Sequence, residues 1–171
     1  MGRRPIVSQI HEGNDAGWRW VSASHDGYRH QGVRLLKRVV AVSDAAVACF
    51  DKGSAKGQEL VGYVHFHPEV ELMLQSSDAV NQTFRFQVSR AGAARSLTIR
   101  AKGVEIEKGW YCPEFGKRMV APVIRYDLNE SDDFLGWVLH DPEISCEIDQ
   151  SQGELLVTMN RTAKFTWDSR C

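Results

Sequence analysis

TFRFQVS, residues 83–89, alternates without a fault. Phe84, Phe86 and Val88 fall on one side of an extended chain, and Thr83, Arg85 and Gln87 on the other. A period of two with one apolar side is the mark of a half-buried β-strand. The pattern spreads in both directions. SLTIRAK (96–102) sets Leu97, Ile99 and Ala101 against Ser96, Thr98, Arg100 and Lys102, and EISCEID (143–149) sets Ile144, Cys146 and Ile148 against Glu143, Ser145, Glu147 and Asp149. Similar strands are expected at 18–23, 33–42, 46–50, 60–66, 70–75, 119–127, 134–140, 154–160 and 163–167. Turn chemistry separates them: DKGSAKG (51–57), RAGAA (90–94), NESDD (129–133) and SQG (151–153). No stretch of eleven or more residues carries a helical apolar stripe. Many short strands at this spacing predict an all-β antiparallel sandwich of two stacked sheets, with under about 10% helix. Residues 17–171 read as one sandwich domain, and residues 1–16 as a poorly patterned N-terminal segment.

The totals are those of an ordinary globular chain. It has 171 residues, 43% hydrophobic and 25% charged, with a formal net charge of -1. A chain this long buries roughly 70% of its unfolded surface, so it needs no disulfides to hold a core. Cys49, Cys112, Cys146 and Cys171 show no CxxC pair, which argues against a zinc ribbon or a redox motif. The near-zero charge gives no reason to expect nucleic-acid or membrane binding. The N-terminus lacks the apolar run of a secretory signal, and the expectation for the chain as given is cytoplasmic. If the sequence is an excised domain, that becomes periplasmic or secreted.

Charge is unevenly spread. Residues 29–38 hold four basic residues and no acid, residues 85–102 hold five and no acid, and residues 127–154 hold nine acids and no lysine or arginine. Such runs read either as solvated strand faces or as a basic surface that attracts an acidic polymer.

Two histidine-rich stretches carry the candidate chemistry. In VGYVHFHPEVEL, His65 and His67 lie two apart and share a strand face. With Glu71 they offer two imidazoles and a carboxylate, a set that suits a divalent transition metal. This spacing resembles the cupin pattern but departs from it, with no matching glycines and no second-motif histidine. The alternative is that both histidines are structural. In HDGYRH (25–30), His25, Asp26, Tyr28 and His30 could form an acid–base cluster, because His and Tyr are common proton-transfer groups. His25 and Asp26 are adjacent, so on a strand they face opposite ways, whereas Tyr28 and His30 can share a face.

The order of motifs says more than any one of them. HDGYRHQGVRLLKRVVAV is followed by an apolar strand ending at Asp51 and a glycine turn, then GYVHFHPEVEL, then GWYCPEFGKRMVAP. Over about residues 20–125 this succession resembles the C-terminal β-rich region of the heparinase II/III-like polysaccharide lyases. The resemblance implies a β-sandwich that works beside an α/α toroid, in the same or a partner chain. The activity implied is β-elimination of uronate-containing polysaccharides such as heparin, heparan sulfate or alginate. In the family the acid–base tyrosine and the carboxylate-neutralising group come largely from the toroid, so this chain alone is expected to be inactive. Tyr28 and His30 are its weak catalytic candidates. Tyr28, Arg29, His30, Arg34, Lys37 and Arg38 are the expected contacts to an anionic polysaccharide, with no cofactor. Two other readings stand beside this one: a stand-alone anionic-carbohydrate-binding module, and a cupin-like metal-dependent enzyme using His65, His67 and Glu71.

Overall fold

A computed structural model describes residues 4–31, 33, 35–53, 60–128, 134–151, 154–160 and 163–168. These form fourteen strands and a single 3-10 turn at Arg29–Gln31. The strands are β1 (Val7–Asp15), β2 (Trp18–His25), β3 (Leu36–Val42), β4 (Ala46–Gly53), β5 (Leu60–His65), β6 (Glu71–Asp78), β7 (Thr83–Arg90), β8 (Ala93–Arg100), β9 (Val104–Glu114), β10 (Lys117–Leu128), β11 (Leu135–His140), β12 (Cys146–Ser151), β13 (Glu154–Met159) and β14 (Ala163–Asp168). Every pairing is antiparallel, and the expected all-β sandwich is present.

The sandwich has cover on both of its faces. An eight-stranded sheet runs β1-β2-β3-β4-β11-β8-β7-β6, and two three-stranded sheets run β5-β10-β9 and β12-β13-β14. Strand β11 shows where the small sheets lie. Val138 belongs to the core built with Trp18, Val39, Ala48, Phe50, Ile148, Leu155 and Val157. Its neighbours Trp137 and Leu139, with Leu135, belong to a second core with Phe86, Leu97, Ile99, Ile124 and Tyr126. Adjacent strand residues point to opposite faces. The β12-β13-β14 sheet therefore packs on one face of the large sheet and the β5-β10-β9 sheet on the other. A strand covered on both faces has no polar side, which is why LGWVLH is apolar almost throughout.

Tight turns set the register. The β7–β8 hairpin closes through Ala91 and Gly92 alone, both at positive φ (50° and 81°). Two positive φ values define the type I′ turn, whose twist matches that of the flanking strands. The segment without a sequence pattern, Val7–Asp15, forms the edge strand β1 and pairs with β2 around a register shift between Ser8 and His11. Of the expected turns, 54–59, 129–133 and 152–153 lie outside the described residues.

Candidate functional site

The HDGYRH stretch begins as the last residue of a strand. His25 ends β2, opposite Val7 of β1 and Leu36 of β3. The chain then turns. Asp26 anchors the start of β1: its Oδ1 accepts the Ile6 N–H at 2.7 Å, and its own N–H donates to the Ile6 carbonyl at 3.3 Å. His25 Nδ1 accepts the Gly27 N–H at 3.2 Å, which places the proton of a neutral ring on Nε2. The Tyr28 ring tilts against His25 at 5.5 Å between centroids and is 45% exposed. The following 3-10 turn is closed by Arg29 N–H to the Asp26 carbonyl and Val33 N–H to the Tyr28 carbonyl, and carries Arg29 and His30 exposed. His25 and Asp26 thus serve the turn, and Tyr28, Arg29 and His30 stand at the surface beyond it.

The basic strand after this turn does not extend the surface. Lys37 and Arg38 are neighbours on β3 and so face opposite ways. Lys37 goes inward, 7% exposed, with its strand partner Lys52, whose Nζ lies 5.0 Å from the centre of the Phe134 ring. Arg38 emerges on the other face and is taken by Asp51, with Nε to Oδ1 at 2.7 Å and a second N–H to Oδ2 at 2.8 Å. The Asp51 side chain is only 5% exposed, and this fork-to-fork contact raises the Arg38 pKa further. Arg34 lies outside the described residues. A continuous strip of free cations from Arg29 to Arg38 is therefore not what the strand presents. Beside it, Val7, Val21, Ala23, His25, Arg38 and Val40 line a shallow groove of about 240 Å³ on the open face of β1–β3. Its walls are mostly aliphatic.

The second basic run is dispersed in the same way. Arg85 donates to the Cys146 carbonyl at 3.4 Å, Arg90 pairs with Glu69 at 2.9 Å, Arg95 with Asp141 at 3.2 Å, and Arg100 donates to the Asn81 carbonyl at 3.4 Å. Acids remote in sequence thus neutralise Arg90 and Arg95, while Arg85 and Arg100 are held by backbone carbonyls.

The histidines of VHFHPEVE separate as well. His65 ends β5 exposed, 6.2 Å from the Tyr63 ring. Pro68 breaks the strand, because proline has no N–H for the ladder. His67 sits in the resulting turn, with Nδ1 accepting the Glu69 N–H at 3.3 Å and its ring edge-on to Tyr111 at 5.0 Å. Glu71 opens β6 in the large sheet, whereas His65 belongs to a small one. Among the described residues no three His, Cys, Asp or Glu side chains come together to hold a metal ion. The cupin-like reading of His65, His67 and Glu71 fails on this geometry.

Tyr126 is no candidate proton carrier. It is 3% exposed between the sheets, and burial pushes its hydroxyl well above the usual tyrosine range. Burial likewise raises Cys49 to about 11 and Cys146 to about 12, which leaves both as unreactive thiols.

Trp110, one of five tryptophans that the sequence offers as sugar-stacking platforms, stands on an exposed surface. Strands β9 and β10 form a long hairpin whose distal part carries Trp110, Met119 and Val120 about half exposed and Phe115 fully exposed at the tip. The segment GWYCPEFGKR shows no strand alternation in the sequence, because its exposed strand has no buried side to generate it.

The comparisons fit this architecture. A family model described as "Heparinase II/III-like, C-terminal" matches residues 1–167. Similar solved structures include heparan sulfate lyase HepC from Pedobacter heparinus, with TM-score 0.66 and 11% identity over 94% of this chain. A mutant of the same enzyme gives TM-score 0.67 at 10% identity over 94%. The heparinase III BT4657 gene product gives TM-score 0.57 at 13% identity over 95%. At these identities the likeness is one of fold. This chain spans 27% of each of those chains. No curated protein matches the sequence.

Proposed function

The chain belongs to the heparinase II/III-like family through its C-terminal domain, and from that premise we propose that it serves a polysaccharide lyase as a non-catalytic β-sandwich. The proposed reaction is β-elimination of a uronate-containing polysaccharide, performed beside an α/α-toroid domain in the same or a partner chain. The observation that carries this reading is the family match over residues 1–167 of a chain that corresponds to 27% of the lyases it resembles in fold.

The chemistry supports the division of labour. Elimination needs a base at the carbon α to the carboxylate, an acid at the leaving oxygen and a group that neutralises the carboxylate, all converging on one sugar. Here Tyr28 and His30 stand on an open turn, His25 and Asp26 are spent on backbone contacts, and Tyr126 is sealed in the core. In this reading Tyr28, Arg29 and His30 form a rim that faces the polysaccharide while the reacting groups come from the toroid.

The test is to incubate the chain with heparin, heparan sulfate and alginate, alone and co-produced with the α/α-toroid domain of a heparinase II/III-like lyase. The readout is the ultraviolet absorbance of the unsaturated uronate product. Turnover is expected only with the helical partner. A steady rise from the chain alone, abolished by Tyr28→Phe, would show that it carries its own catalytic tyrosine and would overturn the proposal.

A further inference from the structure

We infer that the distal half of the β9–β10 hairpin is a binding site for anionic saccharide, with Trp110 as the stacking platform and Arg118 and Lys108 as the charge contacts. The inference rests on the polysaccharide reading above and adds a site to it, on a different element from the Tyr28 turn.

Cross-strand register assigns the two faces of the hairpin. Trp110 pairs with Val120, and Lys108 with Pro122, so these four residues share a face. The same face carries Ile106 and Ile124, and at Ile124 it packs into the core. Towards the edge strand β9, where Ile106 sits directly opposite Ile124, and outwards along the hairpin to Trp110 and Val120, the core no longer covers it. Ile106 is 50% exposed, Trp110 55% and Val120 52%. The Arg118 guanidinium lies 4.4 Å from the centre of the Trp110 ring, which holds the indole in place while half of its surface still meets solvent. Among the described residues neither Arg118 nor Lys108 has an ion-pair partner, unlike Arg38, Arg90, Arg95 and Arg125.

The opposite face has the reverse charge. It carries Glu105 and Glu107, both exposed, with Tyr111 and Met119. Glu105 lies 3.7 Å from Arg125, whose other partner is Asp127 at 2.8 Å. A polyanion is repelled by one side of the ribbon and drawn to the other, so the choice of face is electrostatic. The site chemistry then follows from the residues. An indole offers a flat apolar surface to the C–H face of a pyranose ring. A guanidinium beside it can bind a carboxylate or sulfate through paired N–H donors, and Lys108, about 7 Å along the strand, can reach the charge of an adjoining unit. A neutral glycan would meet the indole alone, so the selected ligand is a charged saccharide.

Affinity electrophoresis of the full chain in gels containing heparin, alginate or dextran tests this. Heparin or alginate should retard the chain and dextran should not, and retardation should fade at moderate salt because exposed ion pairs are screened. Trp110→Ala and Arg118→Ala should each weaken retention about fivefold to tenfold, with the far-ultraviolet spectrum unchanged because both side chains are exposed. Arg118→Lys should recover only part of the loss, since it restores charge without the planar fork. Retention by heparin that is indifferent to Trp110→Ala and Arg118→Ala would overturn the site, as would equal retention by dextran. Self-association that Trp110→Ala abolishes, with no effect on glycan retention, would make the ribbon a protein interface and likewise overturn it. None of these failures touches the co-production assay, which depends on the toroid and reports separately on the lyase reading.

Discussion

Replacing Arg38 by methionine should destabilise the domain without weakening its hold on an anionic glycan. The substitution keeps most of the aliphatic stem and removes the guanidinium. What remains is the Asp51 carboxylate, 5% exposed, deprived of contacts at 2.7 and 2.8 Å. Breaking a fully buried ion pair from one side costs about 3–5 kcal/mol, whereas an exposed pair contributes about 0–1 kcal/mol. Here one partner is buried and the other is 54% exposed, so water can partly reach the orphaned carboxylate. The expected loss is intermediate, about 2–3 kcal/mol, which lowers the melting temperature of a chain this size by roughly 5–10 °C. Asp51→Asn leaves a half-exposed guanidinium that can rehydrate, and should cost less, about 1–2 kcal/mol. The double variant should cost less than the sum of the two by about 1 kcal/mol or more, the signature of a direct pair. Urea unfolding gives these energies, and heparin gel retention gives the ligand side. If Arg38→Met leaves stability within about 0.5 kcal/mol of the parent yet abolishes retention, Arg38 is a ligand contact and the structural assignment is refuted.

Three further outcomes are expected. His140 is 4% exposed, with Nδ1 donating to the Asp141 carbonyl at 2.9 Å and Nε2 accepting the Thr98 hydroxyl at 3.1 Å, and burial holds its pKa below the usual histidine value. The unfolded chain then binds a proton more readily, so stability is full above about pH 6.5 and falls as pH drops below it; His140→Gln should flatten that decline in unfolding curves between about pH 7 and 5, and an unchanged slope would exonerate His140. A methyl group on Gly136 would collide with the Cys49 carbonyl of the adjacent strand and with Phe50, so Gly136→Ala should cost at least about 3 kcal/mol in urea unfolding, and a loss below about 1 kcal/mol would contradict the packing of β11 against β4. Cys112 is exposed on β9, whereas burial raises the Cys49 and Cys146 thiols, so under native conditions a thiol reagent should lose one rapidly labelled site on Cys112→Ser and none on Cys146→Ser.

Strands were legible where an apolar face backs a polar one. Leu97, Ile99, Phe84 and Phe86 alternate because their face of β7 and β8 packs under the β5-β10-β9 sheet, while the other face carries Arg85, which reaches the Cys146 carbonyl, and Thr98, buried against His140. The composition of β11 held more information than its alternation. Val138 and its neighbours Trp137 and Leu139 are apolar in turn, and only cover on both faces explains that. An expectation of two stacked sheets captures either half of the stack and misses that the halves sit on opposite faces. Strand β1 left no periodic trace because its described side chains are exposed almost throughout. Hydrophobic alternation reports burial, and an edge strand has little of it to report.

The candidate site was less legible for a related reason. Clustering along the chain is not clustering in space: a strand sends Lys37 inward and Arg38 outward, and Asp51, thirteen residues on, claims the one that emerges. The pairs of Arg90 with Glu69 and of Arg95 with Asp141 are equally invisible in a run of basic residues. A charge is free for a ligand only where the fold supplies no partner, and that can be judged only once register is known. Arg118 and Lys108 meet this condition on the part of the β9–β10 ribbon that extends past the core, where Glu114 is taken by Lys117 and Glu105 and Glu107 lie on the opposite face. The same overhang leaves Trp110 half uncovered and erases the alternation that would have marked β9 as a strand. Weak fold signal and available binding chemistry in GWYCPEFGKR thus have one physical cause: this segment is the part of the sandwich that its core does not occupy.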